Sequence, residues 1–176
     1  MQNLHTQERF TVQDLAAWGV NDVAYVKTVY KDDGTANYVR GIRTWATSVA
    51  ATMDGEAIAG ATVAPALGDA FALDSGQAFR NGEALTVSDR TDPETFVVAP
   101  TMWWGRDRRD EYADACRGIV ERFGDMRRVG SAQLELALCA AGAFEAVVTN
   151  VETNPWDTVV GAGLVEAAGG AVTDIH

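Results

Sequence analysis

Residues 154–170 read NPWDTVVGAGLVEAAGG and carry the strongest structural signal in the chain. Their apolar residues predict a helix from Asp157 to Ala168, and the pair Gly169–Gly170 is typical of a helix end. Pro155 restricts the backbone just before this helix. Asp157 lies at the helix start, where the macrodipole stabilises an anion. Two interpretations stay open: a simple helix cap, or a carboxylate directed at a metal or phosphate.

A second stretch, residues 32–38, reads DDGTANY and places two carboxylates before a glycine turn and a hydroxyl. Carboxylate oxygens are natural ligands of Mg²⁺. Backbone N–H groups at the Gly34–Thr35 turn can cradle a phosphate, and the Thr35 hydroxyl can orient a water. The same pattern is also typical of an ordinary surface turn, so both interpretations stay open here as well.

Strand signals dominate the first half of the chain, and helical signals dominate the second half. The DG pair at 54–55 and the NG pair at 81–82 predict hairpin turns. Strands followed by interleaved helices predict an α+β architecture. The predicted strands are 23–29, 44–53, 58–63, 71–73, a short one at 79, 85–87, 95–99, 144–149 and 171–175, and the predicted helices are 10–18, 110–123, 131–141 and 157–168, the third capped by Ser131.

The chain has 176 residues and a formal net charge of -11. This charge disfavours binding to nucleic acid and to anionic membranes, and no apolar run is long enough to span a bilayer. We therefore predict a cytoplasmic protein with neither class of partner. The histidines, His5 and His176, lie near the termini, which argues against Ser-His and Cys-His catalysis. Cys116 and Cys139 fall in apolar helical patterns and are predicted to be buried, reduced thiols.

Residues 156–170 resemble the second signature of the inositol monophosphatase family, in which Trp-Asp is followed by small residues, an apolar pair and a glycine-rich ending. Residues 33–38 are similar to the latter half of the family's first signature, which runs Asp-Gly-Thr, any residue, Asn and an aromatic. Residues 39–41 and 44–46 are most similar to the archaeal and histidinol-phosphatase-like branches. Residues 60–65, 76–82 and 128–132 resemble the family's connecting segments, in the same order.

The resemblance covers roughly residues 33–176 and implies the family's α+β fold, a layered αβαβα sandwich. We expect that sandwich to be incomplete at both ends, because no upstream helical pair precedes the first signature and the chain stops at the strand that Ala171 begins. The predicted division is a divergent N-terminal segment, residues 1–29, and an inositol monophosphatase-like domain, residues 30–176.

Family members hydrolyse phosphate monoesters of inositol, sugars and related polyols, with Mg²⁺ as the cofactor. The resemblance implies that Asp33 and Asp157 are metal ligands and that Asp33 also touches the substrate. Gly34 and Thr35 would contact the phosphate, and the Thr35 hydroxyl would position the attacking water, which makes Asp33 and Thr35 the predicted catalytic residues. The residues implied for the sugar or polyol side are Gly130, Ser131, Ala132 and Glu152.

The sequence departs from the family pattern next to this turn. Tyr30 stands where the first signature begins with a metal-binding aspartate, and a phenol cannot replace a carboxylate at neutral pH. Lys31 replaces the usual proline. Asp32 takes the position of a carbonyl ligand, so its side chain is the candidate substitute for the lost metal ligand. Glu8 is the only glutamate before the turn, and nothing around it resembles the family's upstream glutamate motif.

Two functional hypotheses follow from these matches and departures. In the first, the chain is a Mg²⁺-dependent phosphomonoesterase that is impaired by its missing metal ligands, since metal affinity depends on the number of charged ligands. In the second, it is a catalytically inactive remnant of the family that acts, if at all, as a binding or partner subunit. Apolar faces left without covering helices favour a homodimer under either hypothesis.

Overall fold

The computed structural model describes residues 32–53, 56–102, 105–149 and 155–173. The helix predicted at 10–18 and the strand predicted at 23–29 lie outside the described residues. So do Tyr30 and Glu152. The division of the chain at residue 30 stays a prediction.

A six-stranded antiparallel sheet forms from consecutive strands, each paired with the next along the chain. Strands β2 and β3 pair up to Met53 opposite Glu56, which confirms the hairpin predicted from the DG pair. The strands are β1 (Asp32–Asp33), β2 (Ala46–Met53), β3 (Glu56–Ala64), β4 (Asp69–Asp74), β5 (Gln77–Arg80) and β6 (Glu83–Ala84).

The hairpin between β5 and β6 turns at Asn81 and Gly82, whose φ angles are 52° and 87°. Two successive left-handed residues are what a two-residue type I′ turn requires, and asparagine and glycine adopt that conformation most readily. Asn81 Oδ1 also accepts a hydrogen bond of 2.9 Å from the Ala70 N–H of β4. The turn predicted from the NG pair is confirmed.

A second sheet has three parallel strands, with β7 (Val97–Pro100) between β8 (Asp125–Met126) and β9 (Ala146–Val148). Short 3₁₀ turns precede β7 and the second helix. The three long helices that were predicted are confirmed to within about two residues. The helices are α1 (Thr35–Val39), α2 (Arg109–Arg122), α3 (Ala132–Ala140) and α4 (Pro155–Ala167).

Helices α3 and α4 lie between the two sheets. Helix α4 packs on the large sheet and on α3, and α3 contacts β9 of the small sheet. Helix α2 covers the other side of the small sheet, where Ile119 joins Val98 and Met102 in a separate apolar cluster. The order sheet, helices, sheet, helix confirms an α+β sandwich. None of the described helices is long and apolar enough to cross a membrane.

The large sheet packs on α4 through one face. Phe71 and Thr62 are opposite each other on that face and fully buried. Gly60 allows a close approach, since a Cβ there would lie 3.1 Å from Cγ1 of Val160 on α4. Val49 and Val63 alternate to the opposite face and are 45% and 38% exposed. The α4 side of this sheet is therefore the side that builds the core.

The strand predicted at residues 85–87 is wrong. Leu85 N–H still donates to the Ala78 carbonyl at 2.8 Å, but Val87 N–H donates to the Ala168 carbonyl, beyond the end of α4, at 3.1 Å. The chain therefore leaves the sheet here and binds a helix end. The strand predicted at 171–175 is also absent from its described part, residues 171–173.

Glu145 connects the start of β7 to the loop that precedes that strand. Its side chain is only 3% exposed. Oε2 accepts a hydrogen bond of 2.6 Å from Val97 N–H, and Oε1 accepts one of 2.7 Å from Arg90 Nη1. Burial raises the pKa of this carboxyl, but hydrogen bonds from Val97, Ser88 and Arg90 outweigh burial and hold the pKa below its ordinary value of 4.5.

We expect Glu145→Gln to lower the free energy of unfolding by about 1–2 kcal/mol at neutral pH, because one of the two donors then faces an amide NH₂. The fold stabilises the ionised glutamate. Its contribution is therefore present above the unfolded pKa and is lost as the pH falls through the lower folded pKa. Urea unfolding at a series of pH values should show the gap between the two proteins closing in acid. Glu121→Gln, at an exposed position on α2, is the control, and a gap that is independent of pH would contradict the assignment.

Candidate metal and phosphate site

Asp33 ends β1 and reaches the N-terminus of α3. Its Oδ2 accepts hydrogen bonds of 2.7 Å from the Ser131 hydroxyl and 2.7 Å from Gln133 N–H. The prediction that the Ser131 side chain caps α3 is wrong, since it makes no capping hydrogen bond. Its hydroxyl donates instead to the carboxylate, which is the stronger acceptor. Asp33 supplies the cap from a distant part of the chain.

The charge of Asp157 acts on Asp33. Burial raises the pKa of the Asp33 carboxyl above its ordinary value. Hydrogen bonds from Ser131, Gln133 and Ala132 lower this pKa, and the negative charge of Asp157 raises it. Asp157 lies in the first turn of α4. Carboxylates from the two sequence signatures are thus within electrostatic reach of each other, an arrangement that a cation would stabilise.

The turn after Asp33 requires glycine. Gly34 has a φ of +86°, and a Cβ there would lie 3.0 Å from the Thr44 carbonyl oxygen and 3.2 Å from that of Gly130. A side chain at this position would meet both positive φ strain and backbone contacts. Thr35 begins α1 and is exposed. The turn therefore presents Thr35 at the surface directly after the half-buried Asp33.

Asn37 and Glu135 hold the loop before α3 from two sides. Asn37 Nδ2 donates to the Thr44 carbonyl at 2.7 Å and to the Val129 carbonyl at 2.8 Å. Glu135 Oε1 accepts from Val129 N–H at 2.5 Å and from Gly130 N–H at 2.9 Å. The amide thus binds the loop's carbonyl, and the carboxylate binds its N–H groups. This fixes the loop against the acidic turn.

We expect Asn37→Asp to lower the free energy of unfolding by about 2–3 kcal/mol, because a carboxylate cannot donate to the two carbonyls that it would face. The side chain keeps its size, so packing should not change. Asn81→Asp is the matched control: Asn81 accepts from Ala70 N–H, and aspartate can do the same. Urea unfolding at neutral pH should separate the two variants, and equal losses would contradict the role of Asn37 as a donor.

Most of the predicted site residues meet where β1, α1 and α3 come together. The residues that meet there are Asp33, Gly34, Thr35, Gly130, Ser131 and Ala132. Asp32 pairs with Thr47 in the β-ladder, and its side chain lies outside the description. Within the described ranges, no group of three histidine, cysteine or acidic residues is arranged to hold a metal ion. The roles predicted for these residues stay predictions.

Asn37, Gln133 and Glu135 received no role from the sequence patterns. Gln133 and Glu135 interrupt an otherwise apolar helix, and both are almost completely buried. Buried polar side chains need hydrogen-bond partners, so polar residues within the apolar α3 pattern were the available signal. Asn37 was part of the first signature, but its contacts with Thr44 and the loop are decided only by the fold.

A profile of the inositol monophosphatase family matches residues 33–176. The chain belongs to this family. The family resemblance inferred from the two signatures is thereby confirmed, and its first matched residue is Asp33, which caps α3.

Known members of the family agree with the fold. An inositol-1-monophosphatase of Mesorhizobium japonicum is 32% identical over 145 residues, which are 81% of this chain and 54% of that protein. A fructose-1,6-bisphosphatase/inositol-1-monophosphatase of Thermotoga maritima is 35% identical over 147 residues, with the same two coverages. The solved structure of the extragenic suppressor protein suhB from Bartonella henselae has a TM-score of 0.75 at 32% identity, covering 81% of this chain and 56% of that one. The chain spans about half the length of the curated relatives it matches.

Proposed function

We propose that this chain hydrolyses phosphate monoesters of inositol, sugars or related polyols with the help of Mg²⁺. The observation that supports this most directly is the approach of Asp157, on α4, to Asp33, at the end of β1. Family membership supplies the reaction class. The structure contributes a reason for keeping two carboxylates together beside an exposed threonine.

The residues present fit a Mg²⁺ ion. Magnesium is usually held by one or two carboxylates together with substrate phosphate and water, and Asp33 and Asp157 supply two carboxylates. Asp33 would bind the ion through Oδ1, because Ser131 and Gln133 both donate to Oδ2. Bound Mg²⁺ supplies neutralisation of the negative charge on the phosphate oxygens.

The chain's own groups would orient the reactants. In the hydrolysis, water adds to phosphorus, the ester P–O bond breaks, and the departing alcohol oxygen takes up a proton. The Thr35 hydroxyl would orient the attacking water, and the Gly34–Thr35 backbone would hold the phosphate. The loop Gly130–Ala132, held by Asn37 and Glu135, would face the sugar or polyol. Glu152 is a further proposed contact for substrate hydroxyls.

A phosphate-release assay tests this function. The panel should contain inositol 1-phosphate, fructose 1,6-bisphosphate and histidinol phosphate, each with Mg²⁺ and with EDTA. We expect release from at least one substrate, and we expect EDTA to abolish it. If saturating Mg²⁺ produces no release from any of the three, the proposal fails.

A second candidate function is that of a catalytically inactive family member. Tyr30 occupies the position of a metal-binding aspartate in the family signature, and the described part of the site contains a carboxylate pair rather than a larger cluster. This candidate predicts that Mg²⁺ does not bind at a fixed stoichiometry. Calorimetry showing stoichiometric binding would argue against it.

A further inference from the structure

Gln133 is an unusual residue for its position in the fold. It lies in the first turn of α3, where the surrounding residues are apolar, and it is only 1% exposed. A buried primary amide is unfavourable unless its donors and acceptor are satisfied. Its hydrogen bonds therefore indicate why the position tolerates a polar side chain.

Gln133 contacts both of the elements that carry the acidic pair. Its backbone N–H donates to Asp33 Oδ2 at 2.7 Å. Its side-chain Nε2 donates to the carbonyl of Trp156 at 3.1 Å, and its Oε1 accepts from Gly161 N–H at 2.7 Å. Trp156 directly precedes Asp157. One residue thus connects one carboxylate to the backbone that carries the other.

The side chain can make this bridge because α3 and α4 approach each other closely. A Cβ on Gly161 would lie only 2.4 Å from Leu136 Cβ and 3.0 Å from the Oε1 of Gln133. Glycine at this position brings the α4 backbone within reach of the Gln133 amide. The two side-chain hydrogen bonds contact α4 on both sides of Asp157 along the chain, at Trp156 and at Gly161.

We infer that Gln133 is a positioning residue, which fixes the first turn of α4, and with it Asp157, relative to Asp33. The link to metal binding rests on the proposed function. The link between the two helices does not. Gln133 itself touches neither substrate nor metal in this assignment. It acts through the geometry of the carboxylate pair.

The test compares the full-length chain with Gln133→Met, which keeps the length of the side chain and removes both hydrogen bonds. Gln133→Asn keeps the amide on a shorter stem and serves if the methionine variant does not fold. Cys139→Ala, a truncation of a buried side chain near the other end of α3, is the stability control. Two quantities are measured for each protein: hydrogen exchange of the Gly161 amide without metal, and Mg²⁺ affinity by calorimetry.

We expect Gln133→Met to exchange the Gly161 amide about tenfold faster, as the loss of a typical hydrogen bond implies, and to bind Mg²⁺ about tenfold more weakly. Cys139→Ala should lower the melting temperature without changing either quantity. Unchanged Mg²⁺ affinity in Gln133→Met overturns the inference while leaving the proposed function intact. If the unmodified chain binds no Mg²⁺, the proposed function fails. The exchange rate of Gly161 then decides the positioning role alone, and an unchanged rate overturns it.

Discussion

Asp157→Asn is expected to reduce Mg²⁺-dependent phosphate release at least about a hundredfold while the protein stays folded, since supporting groups around metals alone are worth 10–100-fold. Asparagine has the same shape as aspartate but no charge, so the site keeps one carboxylate instead of two. Stability should change by less than about 1 kcal/mol. The lost interaction with the α4 macrodipole and the relieved repulsion of Asp33 act in opposite directions.

Glu166→Gln is the matched control for this substitution. Glu166 is on the same helix, is exposed, and loses the same single charge without approaching the acidic turn. We expect its phosphate release to equal that of the unmodified chain. Steady-state assays at several Mg²⁺ concentrations distinguish weaker metal binding, which excess Mg²⁺ partly restores, from loss of turnover. Substantial activity in Asp157→Asn at ordinary Mg²⁺ would remove Asp157 from the proposed metal site.

Gly161→Ala is expected to lower the free energy of unfolding by about 2–3 kcal/mol. Alanine has the better helix propensity by about 1 kcal/mol, which would favour the variant if the residue were exposed. The added Cβ, however, would lie 2.4 Å from Leu136 Cβ. A Cβ atom cannot rotate away, so α3 and α4 must separate, and overpacking of this kind typically costs about 1–3 kcal/mol or more.

Gly118→Ala provides the opposite result from the same chemical change. Gly118 is inside α2, and its added Cβ would meet only the flexible end of Arg122, Nη1, at 3.2 Å. We expect this variant to be more stable by about 0.5–1 kcal/mol, through helix propensity and reduced freedom of the unfolded chain. Urea unfolding should therefore give changes of opposite sign. A stabilised Gly161→Ala would show that the helices can separate without loss.

Much of the fold could be predicted from local patterns. The NG pair at 81–82 predicts its turn because the left-handed conformation is a property of those residues themselves. Residues 157–168 predict α4 because spacing and the terminal glycines act within one element. Residues 85–87 were mispredicted because an apolar segment carries no mark of its hydrogen-bond partner. Val87 binds the carbonyl of Ala168, a contact that forms only when the layers assemble.

The candidate site shows the same division. The motifs alone single out Asp33 and Asp157, and the fold does bring their charges together. The role of Ser131 was mispredicted, because a serine before a helix is normally its cap. A distant carboxylate took that hydroxyl and capped the helix itself.

Periodicity, turn residues and two short motifs were enough to establish the family, the order of strands and helices, and the two acidic residues of the candidate site. These properties depend on neighbouring residues, whose interactions are nearly the same in any fold. Tertiary structure alone decided that Asp33 caps α3, that Gln133 joins α3 to α4, and that Gly161 must remain small. Those contacts join residues that are distant in sequence, and their energies depend on distances that exist only after the layers have packed.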